Sequence, residues 1–140
     1  EKGLDNLEFF ANQVVEVPIN MTDMQQLLNN SDYISLHVPM PSDGKAIIGK
    51  AEFNSMKDGV KIVNAARGGV IDEDALITAL NSGKVSAAAL DVFTGEPNPR
   101  TDLLKHEKIS LTPHIGAATS EAQDRIGTEL AEKIITKFNN

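Results

Sequence analysis

Four short apolar runs set the limits on how this chain can fold. They are "YISLHV" (33–38), "VKIVNAA" (60–66), "VSAAALDVF" (85–93) and "KISLTPH" (108–114). Each has strand length, and segments with helical periodicity lie between them. Apolar strands alternating with amphipathic helices predict a parallel sheet covered by helices, an α/β doubly wound, Rossmann-like fold with helices on both faces. The helix signals are local. Thr22 with Gln25 reads as a capping box before "DMQQLLNN", and "GKAEFNSMK" reads as a short helix. Asp72 caps "EDALITALNSG", with Gly83 placed to end it in a left-handed conformation. Ser120 with Gln123 opens a long last helix, on which Ile126, Leu130, Ile134 and Phe138 form one apolar stripe. "QVVEVPI" reads as a short strand ended at Pro18, and "TGEPNPR" as a loop.

In open α/β sheets ligands bind beyond the carboxyl ends of the strands. The residues leaving those ends are His37, Val38 and Pro39; Asn64, Ala66 and Arg67; Asp91 and then Glu96; His114 and Gly116. Arg67 has two readings. It is a surface arginine paired with Asp72 or Glu73, a contact of small energy, or a fork that holds a carboxylate or ketone oxygen through two hydrogen bonds. Gly68 and Gly69 favour the second, because they let a ligand approach the backbone. His114 follows Pro113 among small residues, and imidazole suits proton transfer near neutral pH. Glu96 is either a solvated loop carboxylate or the partner of a histidine. Asp91 sits in the apolar run "AAALDVF", where a carboxylate is costly unless hydrogen-bonded. It either caps nearby backbone or meets a ligand. His37 reads as packing or a structural hydrogen bond, and His106 as surface.

Composition removes other classes. Thirteen basic residues face 20 acidic ones, a net charge of −7, and aromatics are 4% of the chain, which argues against nucleic acid as a partner. No cysteine is present, and the three histidines lack ligand spacing, so no metal site is expected. No window approaches the roughly 18 apolar residues of a membrane span, and "EKGLDNLEFF" is not a signal peptide. A cytoplasmic location is expected. There is no P-loop, no serine in a nucleophile elbow and no G-x-G-x-x-G.

Read together, "SDYISLHVP", "VKIVNAARGGVIDEDALITALNSGKV", "AALDVFTGEP" and "TPHIGAATSEAQDRIG" resemble the NAD-dependent D-isomer-specific 2-hydroxyacid dehydrogenases. The resemblance covers about residues 31–130 almost without gaps. "PHIGAAT", "EAQ" and "RIG" are most similar to the members that oxidise 3-phosphoglycerate at the start of serine synthesis. Other members use glycerate or hydroxypyruvate. A second class on the same fold comprises NAD-sensing corepressors without catalytic duty.

The resemblance implies site residues. Arg67 matches the substrate-binding catalytic arginine, Glu96 its acidic companion, and His114 the acid/base histidine. Asp91 matches a contact to the nicotinamide side. Val38, Pro39, Ala65, Ala66, Gly116 and Ala117, with Arg67 and His114, match the surroundings of NAD. His114 is expected to take the substrate hydroxyl proton as hydride leaves for the nicotinamide, with Glu96 steadying the ring and Arg67 holding the carboxylate. The substrate is expected to be a small 2-hydroxy or 2-keto acid, and the full-length protein a homo-oligomer, dimer or tetramer. The glycine-rich first βα unit and nearly all of the substrate domain have no counterpart in these residues. The stretch is therefore expected to be part of a longer protein, with Asp5 as a candidate for the ribose contact. Without that unit "YISLHV" is expected to lack a neighbour and "VKIVNAA" to show an open edge.

Overall fold

The computed structural model describes residues 6–9, 13–16 and 18–138. Asp5 lies outside them. Two short strands come first, β1 (Asn6–Phe9) and β2 (Gln13–Glu16), paired antiparallel. The rest alternates as expected: α1 (Met24–Asn30), β3 (Tyr33–Leu36), α2 (Lys50–Ser55), β4 (Val60–Asn64), α3 (Glu73–Ser82), β5 (Val85–Leu90), α4 (Thr101–Leu104), β6 (Ile109–Leu111) and α5 (Ser120–Phe138).

Strands β3 to β6 form one parallel sheet in the order β3-β4-β5-β6. "YISLHV" therefore has a neighbour, and it is "VKIVNAA", with Ile34 opposite Ile62. Strand β4 is flanked on both sides, so the edges of this sheet are β3 and β6. Parallel pairing of strands adjacent in sequence is the simplest outcome of two right-handed crossovers in a row.

Every step moves in the same direction across the sheet, which is the stepping of one half of a doubly wound fold. Right-handed crossovers that step one way put their helices on one face. Burial follows that rule. Ile34, Leu36, Val60, Ile62, Ala88 and Leu90 point into a core completed by Leu28, Phe53, Leu76, Ala79 and Leu80 from α1, α2 and α3. On the other face Tyr33, Ser35, Lys61 and Val63 are exposed, so helices on both faces are not seen among the described residues. No helix among these residues is long and apolar enough to cross a membrane.

Helix α3 begins and ends as its sequence dictates. The Asp72 carboxylate accepts the Ala75 amide at 3.0 Å, and Gly83 closes the helix at φ +80°. Two other caps lie elsewhere than expected. Asp23, not Thr22, caps α1 by accepting the Gln26 amide at 2.8 Å, while the Thr22 hydroxyl reaches Gln26 Oε1. A carboxylate three residues before a free amide is the better acceptor. Thr119, not Ser120, caps α5 through the Ala122 amide, and Gln123 Nε2 donates to the Ala117 carbonyl. The apolar stripe of α5 is present but exposed: no residue of that helix is buried. Helix α4 follows the "TGEPNPR" loop and is too short for a periodic signal; its anchor is the fully buried Leu103.

Replacing Asp72 by Ala is expected to cost about 1 kcal/mol by removing the α3 cap. The thermal unfolding midpoint of the full-length protein checks this; an unchanged midpoint would show that α3 is held by packing alone.

Candidate active site

Strand β4 ends at Asn64 and hands over to the turn that carries Arg67. Asn64 is 3% exposed at a core-facing position. Its Nδ2 donates to the Arg67 carbonyl at 3.0 Å, and its Oδ1 accepts the Ala66 amide at 3.1 Å. The two candidate ion-pair partners of Arg67 are engaged elsewhere. Asp72 caps α3, and Glu73 Oε1 accepts the Thr94 amide at 2.7 Å. Among the described residues the Arg67 guanidinium makes one hydrogen bond, from Nη1 to the Ala66 carbonyl at 2.6 Å. Arg67 is exposed on the rim with its fork otherwise open.

The turn is pressed against the loop after β5. A Cβ on Gly68 would stand 2.0 Å from the Phe93 carbonyl oxygen, so no other residue fits there. That loop carries Glu96, and successive amides fix it. Phe93 N–H donates to Glu96 Oε1 at 2.7 Å, and Thr94 N–H to Glu73. Its far end is tied by Arg100, which donates to Asp74 at 2.6 Å and to Asp102 at 2.7 Å. The first turn of α3 thus holds both ends of the Glu96 loop.

Glu96 Oε2 lies 2.7 Å from His114 Nδ1. The His114 hydrogen bond, helped by the Phe93 amide, holds the Glu96 carboxyl below its usual range, so it stays ionised in mild acid. His114 itself has φ +56°, a left-handed backbone unusual for a residue with a Cβ.

Asp91 holds that turn. It is 9% exposed. Its Oδ1 accepts the Thr112 hydroxyl at 2.6 Å and the Ile115 amide at 2.9 Å; its Oδ2 accepts the Gly116 amide at 2.8 Å. Burial pushes its pKa up, but these three bonds together outweigh burial and hold it below the usual carboxylate range. A Cβ on Gly116 would sit 2.9 Å from Oδ2, so this close approach also needs glycine.

Two clefts run along the rim and share Ala65. One, of about 320 Å³, is lined by His37, Val38, Pro39, Ala65, Ala66 and Arg67. The other, of about 330 Å³, includes Asn64, Ala65, Asp91, Thr112, Ile115 and Gly116. Of the residues expected at the cofactor, Val38, Pro39, Ala65, Ala66, Arg67, Asp91 and Gly116 line these clefts. Glu96 and His114 pair with each other on the same rim. Ala117 lies beyond both clefts, at the entry to α5. His37 bonds Ser35 Oγ at 2.7 Å, in line with a structural role. His106 is partly exposed, between Asn81 and the Lys108 amide. Asn64 and Glu73 contribute in roles other than those the sequence suggests, and Thr112 is a contributor it does not single out. A polar residue ending an apolar strand was the visible sign for Asn64. Nothing marks these roles of Glu73 and Thr112, whose partners are 21 residues away in each case.

Residues 9–116 match the family model described as D-isomer specific 2-hydroxyacid dehydrogenase, NAD binding domain. The chain belongs to this family. A hydroxypyruvate reductase of Thermotoga maritima is 50% identical over 131 residues, 91% of this chain and 43% of that protein. A D-3-phosphoglycerate dehydrogenase of Archaeoglobus fulgidus is 48% identical over 121 residues, 86% of this chain and 23% of that protein. The crystal structure of a glyoxylate reductase from Paecilomyes thermophila superposes with a TM-score of 0.70 at 44% identity, covering 76% of this chain and 33% of that one. The chain thus spans less than half the length of these relatives.

The chemistry of the rim of this 2-hydroxyacid dehydrogenase domain fits the nicotinamide end of NAD. The small residues Ala65 and Gly116 line the second cleft beside Asp91, whose Oδ2, with one bond accepted, has an acceptor position a carboxamide could take. No group among the described residues competes for that position.

In Asp91→Asn the side chain sets an NH2 group against one of the amides it now accepts, a cost of about 1–3 kcal/mol at neutral pH. Because the folded pKa is depressed, the wild-type advantage exists above the ordinary aspartate range and fades as pH falls through the folded value. Denaturant midpoints of both forms from neutral to acidic pH check this. A gap that is constant with pH would show that Asp91 is not ionised in the fold.

Proposed function

We propose that the full-length protein interconverts a D-2-hydroxy acid and its 2-keto acid, with 3-phosphoglycerate and 3-phosphohydroxypyruvate as the preferred pair. The observation that carries this reading is the His114–Glu96 contact on the same rim as the open fork of Arg67. With Nδ1 facing the carboxylate, His114 keeps Nε2 for the substrate. Nε2 takes the hydroxyl proton in oxidation and returns it to the ketone oxygen in reduction. Glu96 orients the ring and stabilises the imidazolium. Arg67 binds the carboxylate and draws charge from the forming carbonyl. Bound NAD would supply the hydride acceptor, with Val38, Pro39, Ala65, Ala66, Asp91, Gly116 and Ala117 around it.

Sequence identity does not separate the phosphoglycerate reading from a second one, hydroxypyruvate or glyoxylate reduction, which the Thermotoga and Paecilomyes relatives favour. NADH oxidation with phosphohydroxypyruvate, hydroxypyruvate and glyoxylate ranks them. Turnover of none, with NADH still bound, would point instead to an NAD-sensing protein. We propose that the protein is a homo-oligomer, which light scattering reads directly.

His114→Ala is expected to lower kcat about 10²- to 10⁴-fold with little change in NADH affinity. Equal losses in both would reduce His114 to a wall of the pocket. Arg67→Lys is expected to raise KM for the keto acid, because a point charge cannot replace the fork. Wild-type kinetics in that variant would take Arg67 out of the mechanism.

A further inference from the structure

The backbone of Ala66 is held from both sides. Its N–H donates to Asn64 Oδ1 at 3.1 Å, and its carbonyl accepts Arg67 Nη1 at 2.6 Å. The Arg67 carbonyl in turn accepts Asn64 Nδ2 at 3.0 Å, and more distantly the Val70 amide at 3.4 Å. Asn64, Ala66 and Arg67 thereby form a closed ring of hydrogen bonds. The carbonyl of Asn64 also accepts the Asp91 amide at 2.9 Å, so the ring is attached to the carboxylate that holds the His114 turn.

Asn64 occupies a position where the strand pattern calls for an apolar side chain: Val60 and Ile62 precede it on the same buried face. An amide there loses water at both ends and is tolerated only when both ends are bonded. Both bonds go to the three residues that follow it. No carboxylate among the described residues orients the guanidinium, since Asp72 and Glu73 serve other partners. The direction of the Arg67 fork therefore depends on the Ala66 carbonyl, and the backbone from Ala66 to Arg67 depends on Asn64.

We propose that Asn64 is a positioning residue that aims Arg67 at the substrate carboxylate through the backbone of Ala66 and Arg67. The inference rests on the proposed role of Arg67. It adds a residue that governs substrate binding by acting through Arg67.

The test is a double-mutant cycle in the full-length protein, using Asn64→Ala, Arg67→Ala and both together. Two readouts are taken: kcat/KM with hydroxypyruvate, and binding of oxamate, an unreactive 2-keto acid analogue, to the NADH-loaded protein. Asn64→Ala is expected to weaken oxamate and raise KM about tenfold, a larger effect than on kcat at saturation. In the Arg67→Ala background the same change is expected to have less than about a twofold effect, because its target is gone. Asn64→Ser, whose hydroxyl can still accept the Ala66 amide, is expected to regain part of the loss, and it carries the same cycle if Asn64→Ala does not fold. Additive effects of the two changes, or a lower unfolding temperature with unchanged KM and oxamate affinity, would overturn the proposal and leave Arg67 as the anchor. An Arg67→Ala protein that binds oxamate like wild type would overturn both readings.

Discussion

Asp91 is a carboxylate placed where water is scarce, and it remains ionised there because three donors converge on it. The Thr112 hydroxyl and the amides of Ile115 and Gly116 come from a single turn. That turn includes His114 in a left-handed backbone that isolated chains disfavour. The charge and the strained turn are therefore coupled: the turn satisfies the charge, and the charge holds the turn. The imidazole stands where it does because a strand away from it carries a buried acid. Backbone strain of this kind persists only when the surroundings over-determine it, and three bonds to one side chain do that.

The other side of the rim is built on a different economy. Among the described residues Arg67 has no acidic partner, although two acids follow it within six residues in sequence. Both are employed in local backbone capture, one for a helix end and one for a loop. A guanidinium kept without a counter-charge is available to an external carboxylate at no cost of breaking an ion pair. Its uncompensated charge on an otherwise acidic chain is itself a selective feature of this rim.

Much of this was legible in the sequence, for identifiable reasons. The β4, β5 and β6 runs and the α3 caps are local signals, readable from a few consecutive residues. Arg67, Glu96 and His114 lie at strand ends, and a parallel sheet brings strand ends together. Two things were not legible. The pairing of β3 with β4 depends on the order of strands, a long-range fact that no local pattern encodes. The roles of Glu73 and Asp91 depend on partners 21 to 25 residues away, and Asp91 was open between ligand contact and backbone cap. The exposed stripe of α5 marks the reverse limit: periodicity predicts which residues share a face, not whether anything covers it.

The grip of α3 on the Glu96 loop has a mechanical consequence. Glu73 takes the loop at Thr94 and Asp74 takes it at Arg100, while the Arg67 turn is wedged against it at Gly68. Glu96 and Arg67 thus sit on segments that share one support, the first turn of α3. The spacing between Glu96 and the Arg67 turn is therefore set by the fold of α3 and not by the loop alone.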